Sequence, residues 1–235
     1  MRVCMMLMAF VIVLSGCSHM KKNPFAGQVI IEWVDFVNIG SNHYTGLHEV
    51  IISDPELITN DVVGEVKFKV ADAVTNTYYK TKAGDAAFLE KGTKLYRVVG
   101  FDADQLIATQ DKNKIGGYRL FVNREYAGNI AVHYNDIVKN NIERIELYRN
   151  GETTKLIYTL TGDEKERFIE LLESGEEAPN YNPNRENGDP TYYRMIFYNN
   201  GPLAYSYMIM DDQKNVYFHP WDTRIVDVEI RNWFK

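Results

Sequence analysis

The chain has 235 residues, a formal net charge of −6 and 45% hydrophobic residues. That hydrophobic content is ordinary for a globular chain with a packed core, and the length fits one large domain or two small ones. The acidic balance gives the chain no electrostatic reason to bind nucleic acid, so no nucleic-acid partner is expected.

The chain begins with a segment that has the form of a secretory signal. Arg2 precedes an almost wholly apolar run, residues 3–14, which matches the charged and apolar regions of an export signal. The run is shorter than the roughly 20 residues that a membrane-spanning helix needs. The pattern therefore predicts a signal peptide rather than a transmembrane anchor.

The apolar run ends in Leu14, Ser15, Gly16 and Cys17. These four residues resemble the lipobox of bacterial lipoproteins, in which an aliphatic residue and two small residues precede an invariant cysteine. The resemblance implies recognition of Leu14, Ser15 and Gly16 by a signal peptidase, cleavage before Cys17, and attachment of a diacylglyceryl group (palmitate-type chains) to its sulfur. The protein would then be anchored to membrane lipid on the extracytoplasmic face of the cell membrane. An ordinary signal peptide with an incidental cysteine is the alternative.

The sequence has two cysteines, and neither is expected to remain as a free thiol. Cys4 would leave with the signal peptide and Cys17 would carry lipid. The mature chain would then have no disulfide, no cysteine nucleophile and no thiolate metal site.

Four segments follow from these boundaries and from the turn signals along the chain. They are a signal peptide (1–16), a lipid-anchored tether (17–27), a β-rich domain (28–125) and an α+β domain (142–235). The predicted fold class is α+β and mostly β: a small N-terminal antiparallel barrel or sandwich, followed by an antiparallel sheet with one packed helix.

In the N-terminal half, short apolar stretches recur between turn residues, which is typical of a small barrel or sandwich. The clearest alternation places Val66, Phe68 and Val70 on one face of a strand. The segment Lys91–Val98 resembles segments of small β-domains in Gram-positive surface proteins, which implies no activity. Strands are predicted at residues 28–36, 64–70, 93–101, 106–109 and 118–122.

Residues 125–141 are polar and rich in Asn, and are interpreted as the boundary between the halves. After them, Asn150-Gly151 is a strong signal for a two-residue hairpin turn. It lies between predicted strands at residues 142–148 and 153–160.

The clearest helix is predicted at residues 162–174. Thr161 and Glu164 have the spacing of a capping box, and Phe168, Ile169 and Leu172 belong to an apolar stripe. A polar loop (176–190), three strands in a meander (191–198, 203–210, 216–219) and a final strand (225–230) complete the predicted C-terminal half.

No nucleophile elbow, phosphate loop, dinucleotide fingerprint or zinc-protease motif is present in the sequence. His43 and His48 lie in a loop without further ligands. Asp111 and Asn113 resemble the start of an EF-hand loop, but its closing position is Val122 and not Glu. Asp111 and Asn113 are interpreted as turn residues that bond their own backbone. No metal site and no cofactor is predicted.

Aromatic residues are abundant in the last strands, where Tyr205, Tyr207, His219 and Trp221 are the candidate binding residues. A Tyr ring offers an apolar face with a polar tip, which suits binding of sugars or of a protein surface. The competing interpretation for Tyr205 and Tyr207 is cross-strand packing inside the sheet, and it is the favoured one. For His219 and Trp221 a structural corner is likewise favoured over a ligand site.

The sequence is thus typical of the many lipoproteins of Gram-positive bacteria in which lipidation is clear and activity is not. The leading hypothesis is a non-enzymatic binding module that contacts a protein or an envelope polymer. The second is a cell-envelope hydrolase that uses carboxylates and His219. A third, a ligand-binding receptor for a transporter, is the weakest because the chain lacks two α/β lobes.

Overall fold

The computed structural model describes residues 31–150 and 154–235. The predicted signal peptide, the lipobox and the tether lie outside these residues, as does Gly151 of the predicted hairpin turn. Among the described residues, no helix is long and apolar enough to cross a membrane.

Two units are distinguished by their internal contacts. Residues 33–73 and 80–235 form one, and it contains every strand and helix described below. Residues 74–79 belong to the other, where the Tyr79 amide donates to the Asn76 carbonyl at 3.0 Å.

The described chain is mostly β, as predicted, and its strands form two sheets. The strands up to β9 are β1 (Phe36–Ile39), β2 (Asn42–Leu47), β3 (Val50–Ile52), β4 (Ile58–Glu65), β5 (Phe68–Lys69), β6 (Asp85–Ala86), β7 (Lys94–Val98), β8 (Leu106–Gln110) and β9 (Tyr118–Asn123). The first sheet is a curled half-barrel with strand order β4-β7-β8-β9-β2-β1-β6-β5. All its pairings are antiparallel except that of β5 with β6.

The strands predicted around β7, β8 and β9 are confirmed, but two others are wrong. Of the strand predicted at 28–36, residues 28–30 lie outside the described residues, and the described part is in a strand only at Phe36, where β1 begins. No continuous strand covers residues 64–70. Val66 interrupts it, because its amide donates to the Thr93 carbonyl and its carbonyl accepts from the Gly92 amide. Val66 and Val70 are buried as the alternation predicts, while Phe68 is 36% exposed.

The remaining elements are β10 (Ile142–Arg149), β11 (Lys155–Leu160), α1 (Gly162–Glu173), β12 (Glu176–Glu177), β13 (Thr191–Asn199), β14 (Leu203–Asp211), β15 (Val216–Phe218) and β16 (Arg224–Val226). The second sheet has the order β11-β10-β13-β14-β15-β16-β12. The predicted meander is confirmed, and the final predicted strand is only three residues long before the chain turns into a 3₁₀-helix (Val228–Trp233).

Helix α1 covers one face of the second sheet with the predicted stripe, since Phe168 and Leu172 are fully buried and Ile169 nearly so. The predicted capping box is wrong. The Thr161 side chain makes no capping hydrogen bond, and Glu164 instead accepts from the Tyr158 hydroxyl at 2.9 Å.

Strand β3 links the two halves of the sequence, because it pairs with β14 of the second sheet and not with the first. Ile52 is opposite Leu203, and Ile51 is opposite Ala204. A strand from the N-terminal half therefore completes the sheet of the C-terminal half.

The predicted boundary region also enters the core. Residues 127–141 contain three short 3₁₀-helices. Tyr134 is fully buried between Phe197, Tyr207 and Phe218, with ring centroids 5.2 to 5.8 Å away in edge-on geometry. This segment is thus a structural part of the second sheet's core and not a linker.

Candidate functional site

The face of the second sheet opposite α1, called the outer face below, carries polar side chains. Strand alternation sends Ile145, Leu147 and Met195 into the core beneath α1. Their neighbours in sequence therefore point to the other side. The outer face includes Arg144, Glu146, Tyr148, Arg194 and Ser206.

One carboxylate on the outer face already has hydrogen-bond donors from neighbouring side chains. Glu146 accepts from Arg144 Nε at 3.0 Å and from the Tyr148 hydroxyl at 2.7 Å. The Arg144 guanidinium also lies 3.7 Å from the centroid of the Tyr198 ring. Burial and the neighbouring Glu146 charge raise the pKa of Tyr198 to about 12, so its hydroxyl stays protonated at neutral pH. The two charges of this cluster neutralise each other.

Arg194 lies in the centre of the same face without such a partner. In the sheet register it is opposite Tyr148 on β10 and Met208 on β14. One terminal nitrogen donates to Ser206 Oγ at 2.8 Å, and no carboxylate in the described chain lies within ion-pair distance of it. Burial lowers the pKa of Arg194, and the charge of the exposed Glu49 opposes that shift. Arg194 is therefore a half-buried cation without an ion-pair partner in the described part of the chain.

A cavity of about 420 Å³ opens beside this side chain. We call it the Arg194 pocket. Arg194, Lys114 and His48 line it together with Ser206, Asn113, Asn150 and Thr154, while Ile51 and Ile115 form an apolar wall. Among the described residues that line it, the charged side chains are Arg194 and Lys114, which are both positive.

Asn150 brings unsatisfied hydrogen-bonding capacity to the Arg194 pocket. Its side-chain nitrogen lies 3.6 Å from Met208 Sδ. Its side-chain oxygen is buried and has no hydrogen-bond partner among the residues that the structure describes. Buried polar atoms normally have partners, so a ligand or water with a donor group would complete this position.

Lys114 reaches the pocket from the loop between β8 and β9. The Asp111 carboxylate accepts from the Asn113 amide at 3.0 Å, as predicted for a turn residue that bonds its own backbone. Gly116 has φ +81°, and a Cβ there would lie 3.1 Å from the Ile52 side chain. The glycine thus lets the loop lie against β3. No group of three or more His, Cys, Asp or Glu in the described chain could hold a metal.

The candidate binding residues from the sequence do not come together in one site. Tyr207 is 7% exposed, and its hydroxyl donates to the Val132 carbonyl at 3.2 Å. Tyr205 is half-buried and packs against the cores of both sheets. Both rings therefore contribute to packing between the strands.

His219 and Trp221 lie at the surface after β15. Trp221 is 59% exposed and stacks on His133, with ring centroids 3.8 Å apart. His219 Nδ1 lies 3.0 Å from Thr223 Oγ1, and no carboxylate in the described part of the chain bonds it. His43, which the sequence predicts to lie in a loop, lies on β2 instead. It bonds Asn38 at 2.6 Å and stacks on Phe36.

Sequence reasoning did not identify the Arg194 pocket. The available signal was a single charged residue in the middle of β13, whose other residues are aromatic, aliphatic or small polar ones. A charge in such a strand needs either a partner or a polar cavity. Lys114, His48 and Asn150 come from three distant segments, so their convergence has no local signal.

No protein-family model matches the chain, and neither a curated protein nor a solved structure matches it. The residues and their geometry therefore carry every functional statement about this protein.

Proposed function

We propose that the protein is a lipoprotein that is anchored through Cys17 to the outer face of the cell membrane and acts there as a binding module. The observation that carries the proposal is the sequence Leu14-Ser15-Gly16-Cys17 directly after the apolar run. One acyl chain gives only marginal membrane binding. The two chains of a diacylglyceryl group on Cys17 give durable attachment.

Two features of the described surface support a binding role. The Arg194 pocket combines cationic, amide and hydroxyl groups around a cavity, and the Trp221–His133 pair presents a flat aromatic surface to solvent. Both suit polar partners at the cell envelope, such as an envelope polymer or a protein. The hydrolase alternative requires a carboxylate at His219, whose side chain bonds Thr223 instead, so no catalytic role is proposed.

The test compares Cys17→Ser with the matched control Cys4→Ser in cells that are fed an alkyne-labelled fatty acid. We expect the wild-type protein to carry label and to sediment with membranes. Cys4→Ser should behave in the same way, because Cys4 lies in the signal peptide that is removed. Cys17→Ser should lose the label, and membrane retention should fall. Mass spectrometry of the wild-type protein should find an acylated N-terminal cysteine.

Undiminished label in Cys17→Ser would overturn the anchor. A mature chain that begins at another residue without acyl mass would overturn it as well. The binding role is tested separately, by the ligand experiment described next.

A further inference from the structure

The charge balance of the outer face is uneven. Arg144 and Arg194 both point to this face, but among the described residues only Arg144 has a carboxylate partner, Glu146 at 3.0 Å. The Glu49 carboxylate acts on Arg194 over a longer distance and forms no ion pair with it. A half-buried charge without a close partner is costly, so an anion beside Arg194 would be favoured.

The donor geometry around Arg194 is also incomplete. A guanidinium offers five N–H donors in a planar fork, and among the described residues Arg194 uses only the bond to Ser206 Oγ. Phosphate and carboxylate groups match that fork with two parallel hydrogen bonds. Lys114, on the facing loop, adds a second positive charge to the same cavity.

The other residues that line the Arg194 pocket favour a ligand with more polar groups than a single ion has. Asn113, Asn150, Thr154 and Ser206 add amide and hydroxyl groups, and the buried Asn150 oxygen lacks a donor. A cavity of about 420 Å³ lies within the usual range for small-molecule sites, roughly 300 to 1,000 Å³. It has room for several polar atoms besides one oxyanion.

We propose that the Arg194 pocket binds the oxyanion of a hydroxyl-bearing ligand, such as a polyol or sugar phosphate or the matching carboxylate. Arg194 receives the oxyanion with its free N–H donors, and Lys114 adds a second positive charge to the cavity. The amide and hydroxyl groups of the lining, such as those of Asn113 and Thr154, bond the ligand hydroxyls. This inference gives a ligand class to the proposed binding function and rests on it, but it does not depend on the lipid anchor.

The experiment uses the detergent-solubilised full-length protein and isothermal titration calorimetry. The probes are glycerol 3-phosphate, glycerate and uncharged glycerol. We expect the two anions to bind and glycerol not to bind. Tighter binding of glycerol 3-phosphate identifies a phosphate ligand, and tighter binding of glycerate identifies a carboxylate ligand.

Three variants locate the binding. We expect Arg194→Gln to weaken binding of the better anion by about tenfold or more, since each lost charged hydrogen bond is worth that much. Lys114→Gln, in a surface loop, should weaken it by about threefold without affecting folding. Arg144→Gln is the matched control, because its positive charge lies on the same face but already has a carboxylate partner.

Thermal unfolding of each variant shows whether it is folded before titration. If Arg194→Gln does not fold, Lys114→Gln and the salt dependence of anion binding decide the question. The proposal is overturned if neither anion binds at concentrations up to about 10 mM. Equal binding by glycerol, or loss of binding in Arg144→Gln alone, would overturn it too. None of these outcomes affects the acylation test at Cys17.

Discussion

A Cβ atom on Gly46 would overlap the carboxylate of Asp35, whose Cγ lies 2.7 Å from that position. The two residues are also joined by the backbone, because the Gly46 amide donates to the Asp35 carbonyl at 2.9 Å. Asp35 is 6% exposed and accepts a close hydrogen bond from Arg119. The glycine thus provides the space in which a buried ion pair forms within the half-barrel.

Gly46→Ala is therefore expected to displace the Asp35 carboxylate and to lower the free energy of unfolding by about 3 kcal/mol, a typical cost of breaking a buried ion pair. Urea denaturation measures it. Gly128→Ala is the control, because a Cβ there meets nothing within 4 Å, and its effect should be small. Equal stability of the two variants would contradict this role of Gly46.

Ile52→Ala should destabilise both sheets together. Ile52 is 1% exposed on β3 and packs in the core of the first half while β3 pairs with the second sheet. Truncation of a buried Ile costs about 2 to 5 kcal/mol. Hydrogen exchange should show lost protection in β8 and in β13 alike, whereas Val34→Ala, at 69% exposure, should change neither. Loss confined to one sheet would show that the halves unfold separately.

Asp212 should hold the loop before β13 in place. It is 3% exposed and accepts from the Tyr181 hydroxyl and, at 2.7 Å, from the Asn184 amide. Asp212→Ala leaves these donors without a partner, which costs about 1 to 3 kcal/mol. Limited proteolysis should then cut residues 178–190 faster. Asp222→Ala, at an exposed position, serves as the control and should leave the cleavage rate unchanged.

The same residue predicts a pH dependence. Burial acts to raise the pKa of Asp212, but hydrogen bonds from Asn215, Tyr181, Asn184 and Lys214 hold it below its ordinary value. Its contribution to stability is therefore complete above the unfolded-state pKa of about 4. It is lost as the pH falls from there through the lower pKa of the folded protein. In urea titrations, the difference in free energy of unfolding between the wild-type protein and Asp212→Asn should shrink over that interval. A constant difference would contradict a stabilising role of the Asp212 carboxylate.

Thr161→Ala should change the free energy of unfolding by less than about 0.5 kcal/mol, below the usual cost of about 1 kcal/mol for losing an N-cap. The reason is that the Thr161 side chain caps no amide of α1. Asp227→Ala is the matched comparison, since its carboxylate accepts from the Glu229 amide at 2.8 Å, and it should cost about 1 kcal/mol. Urea denaturation compares the two. A larger loss of free energy of unfolding in Thr161→Ala would contradict this expectation and support the predicted capping box.

The local pattern of the sequence was sufficient to predict several secondary-structure elements. The apolar stripe of α1, the strands β8 and β9 and the meander β13 to β15 lie where the periodicity predicts them. In each case the repeat of apolar residues fixes which face is buried, and that information is contained within the element itself. The lipobox at Cys17 is likewise local, and the anchor it predicts remains a prediction.

Tertiary structure decided what local pattern does not contain. The break at Val66 follows from bonds to the turn at residues 92–93, and Tyr134 is buried because three distant rings surround it. The pairing of Ile52 with Leu203 and the convergence of Lys114 on Arg194 join segments far apart in the chain. Alternation specifies which face of a strand is apolar but not which strand lies beside it, so only the folded chain reveals this pairing and this pocket.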